Sequence, residues 1–177
     1  MAEGIATPEL TASDARAAQE VLLEQERMLR YEHFGSTEAL KLGNVVASLV
    51  PDFGEGVSIT ITRESDGVRM FQWVADDCDG RNILFAQGKR AAAKKAGHAS
   101  PWAQLVAAAD GADSASVWAN VPDEVPACGA FPIRVGEEWV ATLCVSGLSD
   151  GLDHEVIVRA LEQVLGTEVP RWEAQVA

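Results

Sequence analysis

Basic residues are scarce in this chain. Its 177 residues include 14 Lys and Arg against 27 Asp and Glu, a formal net charge of −13. A surface that tracks nucleic-acid phosphates needs clustered cations, so nucleic acid is excluded as a partner, and an anionic membrane surface with it. Cysteine is also sparse. Cys78, Cys128 and Cys144 form no CxxC pair, which excludes a disulfide framework and a thiolate zinc site. No apolar run reaches the length of a membrane span, and no basic-then-apolar leader opens the sequence. Internal repeats, linkers and low-complexity stretches are missing too. The expectation is a cytoplasmic protein with reduced thiols, built as one domain.

The chemical signatures are equally thin. GxSxG is absent, and Gly88-Lys89 lacks the glycine-rich lead of a Walker A loop. His33, His98 and His154 fall on three different elements with no HxH, HxxxH or HExxH spacing, so no zinc site is preformed. No catalytic residue is assigned, and the chain reads as a non-enzyme.

What is present is hydrophobic periodicity, carried by 47% apolar residues. Residues 1–10 read as a flexible lead-in, 11–166 as the domain and 167–177 as a tail. A helix is predicted from Ala12 to Arg30, capped by Thr11, and a second from Thr37 to Val50, capped by Ser36 and stopped by Pro51. The alternation Val57-Ser58-Ile59-Thr60-Ile61-Thr62 is that of a half-buried strand. A turn at Glu64–Gly67 returns it as Val68–Val74, whose two apolar faces both call for cover. Helices follow at Arg81–Ala96, ended by Gly97, and from Ser100-Pro101 to Ala109. A short strand is placed at Ser116–Ala119. Then come GAFPIRV, a GEE turn, WVATLCVSGL, and a helix from the Asp153-His154 region to Leu165, ended by Gly166. Short turns between strands favour an antiparallel sheet of four or five strands, crossed by helices: an α+β fold.

Candidate site residues gather near that last joint. Ser146-Gly147 before a helix start resembles a small anion cradle. It serves equally as a plain connection in which Asp150 or Asp153 caps the helix, and two aspartates there would repel an anion. His98, at a junction between helices, is placed to face a cleft. Trp73, Trp102, Trp118, Trp139 and Trp172 supply core, pocket or interface.

The combination FPI, VSGL and Asp153-His154, with Phe34, the run Glu38–Gly43, Asn82 with Lys89, and His98-Ala99-Ser100, resembles the haem-degrading-domain family, the GlcG/HbpS-like proteins, and within it a cytosolic uncharacterised branch. The resemblance covers Leu22 to Leu165. It implies a profilin-like sandwich, a central antiparallel sheet with helices on both faces, assembled as a homo-oligomer, with haem or another small molecule as ligand. The residues it marks are His98 as first iron contact and His154 as second, Asn82 and Lys89 as polar contacts, and Phe85 and Phe131 as apolar cover beside Ser146 and Gly147. A haem-degrading oxidative enzyme and a ligand-free adaptor are the alternatives. The chain departs from the family pattern at Ala127-Cys128, where a His-Gly pair is usual, at Phe85, Gln87 and Gly88, and at Pro101.

Overall fold

The computed structural model describes residues 10–112 and 121–175. Helix α1 (Ala12–Met28) begins at Thr11, whose Oγ accepts the Asp14 N–H at 3.1 Å. Helix α2 (Ser36–Leu49) is capped from Gly35 and not from Ser36, which is its first residue. There the Glu38 carboxylate reaches back to the Gly35 N–H at 2.8 Å, which satisfies one of the orphan donors at the helix start. A 3₁₀ turn at Val50–Asp52 contains Pro51. Strands β1 (Ser58–Arg63) and β2 (Arg69–Val74) form the first hairpin, followed by α3 (Gly80–Ala96) and α4 (Trp102–Ala109). The second hairpin is β3 (Ala130–Val135) and β4 (Glu138–Ser146), and α5 (Asp150–Leu165) closes the domain. Gly97 and Gly166 end α3 and α5 in the left-handed conformation, as their positions predict. The expected lead-in, apart from Leu10, and the expected strand at Ser116–Ala119 lie outside the described residues.

The sheet has four strands in the order β2-β1-β4-β3, all antiparallel. Its central pair sets two chemically different faces. On one, Ile59 lies opposite Val145 and Ile61 opposite Leu143; with Phe131 and Ile133 they form the main core against Leu42 and Val46 of α2 and Ile157 and Leu161 of α5. On the other, Ser58 faces Ser146, Thr60 faces Cys144 and Thr62 faces Thr142. The alternating pattern predicts this hydroxyl face turned to water. Instead α3 lies across it, and all six of these residues are buried. Helices therefore cover both faces. The small residues Ala86 and Ala93 allow the approach, packing on Ala130 and Cys144.

At the edge, β2 stays partly open, with Trp73 and Val74 each 36% exposed. The tail docks on its own domain. Trp172 is buried, and Arg171 forks between Glu155 (3.0 Å) and Glu162 (2.6 Å) of α5. Among the described residues no helix is long and apolar enough to cross a membrane.

Gly129, just before β3, sits where two layers meet. Its φ is +121°, and a Cβ there would stand 2.3 Å from the Val145 carbonyl oxygen and 2.9 Å from Lys89 Nζ. Both backbone conformation and space exclude a side chain. Gly129→Ala is expected to cost about 3 kcal/mol in urea unfolding; an unchanged midpoint would show that the layers are looser than drawn.

Candidate functional site

The residues singled out in the sequence fall into two groups. Asn82, Lys89, Ser146 and Gly147 do come together, along the seam where α3 crosses the end of β4. Lys89 Nζ donates to Asp153 Oδ2 at 2.6 Å and to the Val145 carbonyl at 3.3 Å, with both charged side chains almost wholly out of water (2% and 1% exposed). The other Asp153 oxygen accepts the Leu148 N–H at 3.0 Å. Asp153 is thus not the cap of α5; the cap position is Ser149, whose side chain makes no cap hydrogen bond among the described residues. Beside this pair, the Asn82 amide donates to the Gly56 carbonyl at 3.0 Å, and Ser58 Oγ donates to the Asn82 carbonyl at 3.3 Å. Gly147 presses on that same Gly56 carbonyl so closely that a Cβ would lie 2.4 Å from its oxygen.

The seam does have the form of an anion cradle: a backbone N–H and a lysine facing one point. The anion it holds is the chain's own Asp153 carboxylate. Ser146 Oγ is buried within the seam and has no hydrogen-bond partner among the described residues. Phe85 shares α3 but packs elsewhere, with Val125 and Ala127 in a separate buried cluster. At the point where the chain departs from the family pattern, the Ala127 carbonyl accepts a hydrogen bond from the buried Ser100 Oγ, which in turn accepts the Ala130 N–H at 3.0 Å. Ser100 ties the turn before α4 to the start of β3.

The two histidines lie apart from the seam, both held by α1. His154 is wholly buried, its ring 5.7 Å from that of Phe131 and 4.9 Å from that of Trp172. Its Nε2 is 2.8 Å from Gln25 Oε1, an acceptor, so the ring is assigned as the neutral Nε2–H tautomer. Among the described residues its Nδ1 has no hydrogen-bond partner. Burial, with the nearby Arg171 charge, lowers its pKa to about 3. The Gln25 amide continues the chain of contacts to the Pro170 carbonyl (2.7 Å) and Gln175 (2.8 Å), and Gln175 reaches Glu155 (2.7 Å).

His98 differs in every respect. Its side chain is 30% exposed, its ring lies 4.3 Å from that of Trp102, and its Nδ1 is 2.9 Å from Glu26 Oε2. The second Glu26 oxygen accepts the Ala99 N–H at 2.7 Å, so a buried carboxylate fixes both the imidazole and the turn that carries it. Nε2 is the ring nitrogen left to meet a metal. Among the described residues no group of three or more His, Cys, Asp or Glu is placed to hold a bare metal ion.

Gln25 and Glu26 are the residues that sequence reasoning missed. The signal was there: α1 buries Ala15, Ala18 and Leu22, with Leu29 buried at its C-cap, and the same helical stripe runs through positions 25 and 26. Two polar residues on a buried stripe need partners, and these are the two histidines.

A family model described as haem degrading protein HbpS-like matches residues 34–162. Over 149 residues the chain is 28% identical to a UPF0303 protein of Rhizobium etli, covering 84% of this chain and 90% of that protein. It is 32% identical over 143 residues to a UPF0303 protein of Streptomyces avermitilis, covering 80% and 86%. Among solved structures, the Ybr137w protein superposes with a TM-score of 0.71 at 21% identity, over 84% of this chain and 87% of that one. A double mutant of HbpS from Streptomyces reticuli gives 0.52 at 20% identity, over 78% and 90%. The two structures show a shared fold.

The state of His154 sets a pH dependence. Its folded pKa, about 3, lies below the ordinary 6.5 of the unfolded chain. Between these values the unfolded state binds the extra proton. The stability due to the neutral ring is therefore complete above the unfolded pKa and is lost as pH falls, by at most about 1.4 kcal/mol per pH unit. Urea unfolding between pH 7 and 5 is expected to show a steeper loss for the wild type than for His154→Gln. Equal slopes would contradict the buried neutral imidazole.

Proposed function

Because the chain belongs to the HbpS-like haem-degrading family, we propose that it is a non-enzymatic, oligomeric protein of the cytoplasm that binds a small ligand, with haem as the leading ligand and His98 as its contact. The carrying observation is the carboxylate-held imidazole. A ring whose Nδ1 faces a buried carboxylate has its orientation fixed and its other nitrogen made more basic, which is how protein ligands to metals are commonly supported. A single axial histidine suffices to hold haem iron. Haem, when bound, would supply the iron centre and its visible absorption; the chain supplies His98, its orientation by Glu26 and the flanking Trp102 ring. His154 does not fit the role of second iron contact: it is wholly buried between Phe131 and Trp172, with Nε2 engaged by Gln25.

The non-enzymatic reading is supported by what the buried titratable groups are doing. Lys89 and Asp153 bind each other, and His154 is buried and neutral. General acid–base work needs a group that exchanges protons with substrate near neutral pH. Assembly is supported by β2, an edge strand that exposes Trp73 and Val74. No disulfide joins the three cysteines, which suits a reducing compartment.

Titrating the purified protein with hemin is expected to give a saturable, shifted Soret band that His98→Ala abolishes. A non-saturating spectrum, or an unaltered band in His98→Ala, would remove haem at His98 from the account.

A further inference from the structure

The hydroxyl face of the sheet is not closed all the way to its edge. Between α3 and the β1–β2 hairpin it opens into a cleft of about 330 Å³, at the lower end of the range for small-ligand sites. Thr60, Thr62 and Cys144 form the floor, Gln87 and Arg90 stand on the α3 wall, and Arg69 of β2 is at the mouth. Charge sets this cleft apart. In a chain with 27 acidic and 14 basic residues, its lining contains two arginines and no carboxylate.

Arg90 is paired with Glu64 at 2.9 Å, and Lys94 reaches the same carboxylate at 3.0 Å. Burial raises the Glu64 pKa, but hydrogen bonds from Arg90, Thr142 and Lys94 outweigh it and the net shift is downward, so this carboxylate stays ionised and already has its partners. Arg69 donates to Gln72 Oε1 at 3.0 Å, a neutral acceptor, and no ion pair is formed by it among the described residues. Its charge is uncompensated at the mouth of a donor-rich cleft. Burial pushes the Cys144 thiol up to about 12, so the floor carries no negative charge.

We propose that this cleft binds a small metabolite through an oxyanion, a carboxylate or phosphate group, with Arg69 giving the charge-assisted hydrogen bond and Thr60, Thr62 and Gln87 the neutral ones. Arginine suits either group because its planar fork presents parallel donors. The site shares no lining residue with the His98–Glu26–Trp102 arrangement, so either site stands or falls without the other.

The test is a titration with inorganic phosphate and, separately, with acetate, followed by amide chemical shifts at an ionic strength held constant with sodium chloride. Saturable shifts are expected at Thr60, Thr62, Arg69 and Gln87. Arg69→Gln, at an exposed position, is expected to weaken binding about tenfold. Thr62→Val, which keeps the shape and removes the hydroxyl, is expected to weaken binding too, while Lys41→Gln on α2 leaves it unchanged. A stronger response to phosphate assigns a phosphorylated ligand, and a stronger response to acetate a carboxylate. Non-saturating shifts with both anions, shifts scattered over the surface, or wild-type binding in Arg69→Gln would overturn the proposal.

Discussion

One ion pair, removed from water, holds the two layers of this protein in register. Lys89 comes from α3 and Asp153 from α5, and each also bonds the main chain around the end of β4. Against an apolar pair of the same size, such an arrangement adds little net stability, because desolvation of both charges offsets their attraction. What it adds is direction. With Lys89 aimed at the end of β4, the next residue round the helix, Arg90, reaches Glu64 beyond the end of β1. Ala86 and Ala93 then settle on the sheet. The rotation of α3, and with it the burial of the hydroxyl face, follows from that lock.

The lock also redistributes chemistry. The residues that look most reactive in the sequence face one another inside the protein, where they hold elements together. The groups proposed to meet a ligand lie further out: His98, presented by Glu26 on one side, and the arginine-lined cleft on the other. Each arrangement depends on a carboxylate placed far away in sequence, Glu26 holding His98 and Glu64 holding Arg90 on the cleft wall.

Local signals located most of the fold. Helical spacing, the two hairpins, and the glycines after α3 and α5 were legible because each is decided within a few residues. The serine cap of α2 was not: Ser36 lost its place to the Gly35–Glu38 contact; nor was the tie that Ser100 makes to Ala127 and Ala130. The alternation in β1 correctly separated apolar from hydroxyl positions, yet could not say what lies above the second face. The helix that covers it does so with alanines, which give no apolar stripe to read. In the same way, Asp153-His154 is a local pair in sequence and a divergent one in space. Its two side chains serve opposite layers, a consequence of the turn per residue in a helix. The docking of the tail rests on Arg171 and Gln175 meeting Glu155, a relation without local period.

The central claim is that Lys89 and Asp153 are partners of each other. A double-mutant cycle on global stability measures this directly, with Lys89→Met, Asp153→Asn and the pair. If the claim holds, each single change strands a buried charge and costs about 3–5 kcal/mol, and the double mutant loses clearly less than the sum of the two. Additive losses would mean that the two charges do not depend on each other, and the seam would have to be read again as an open site.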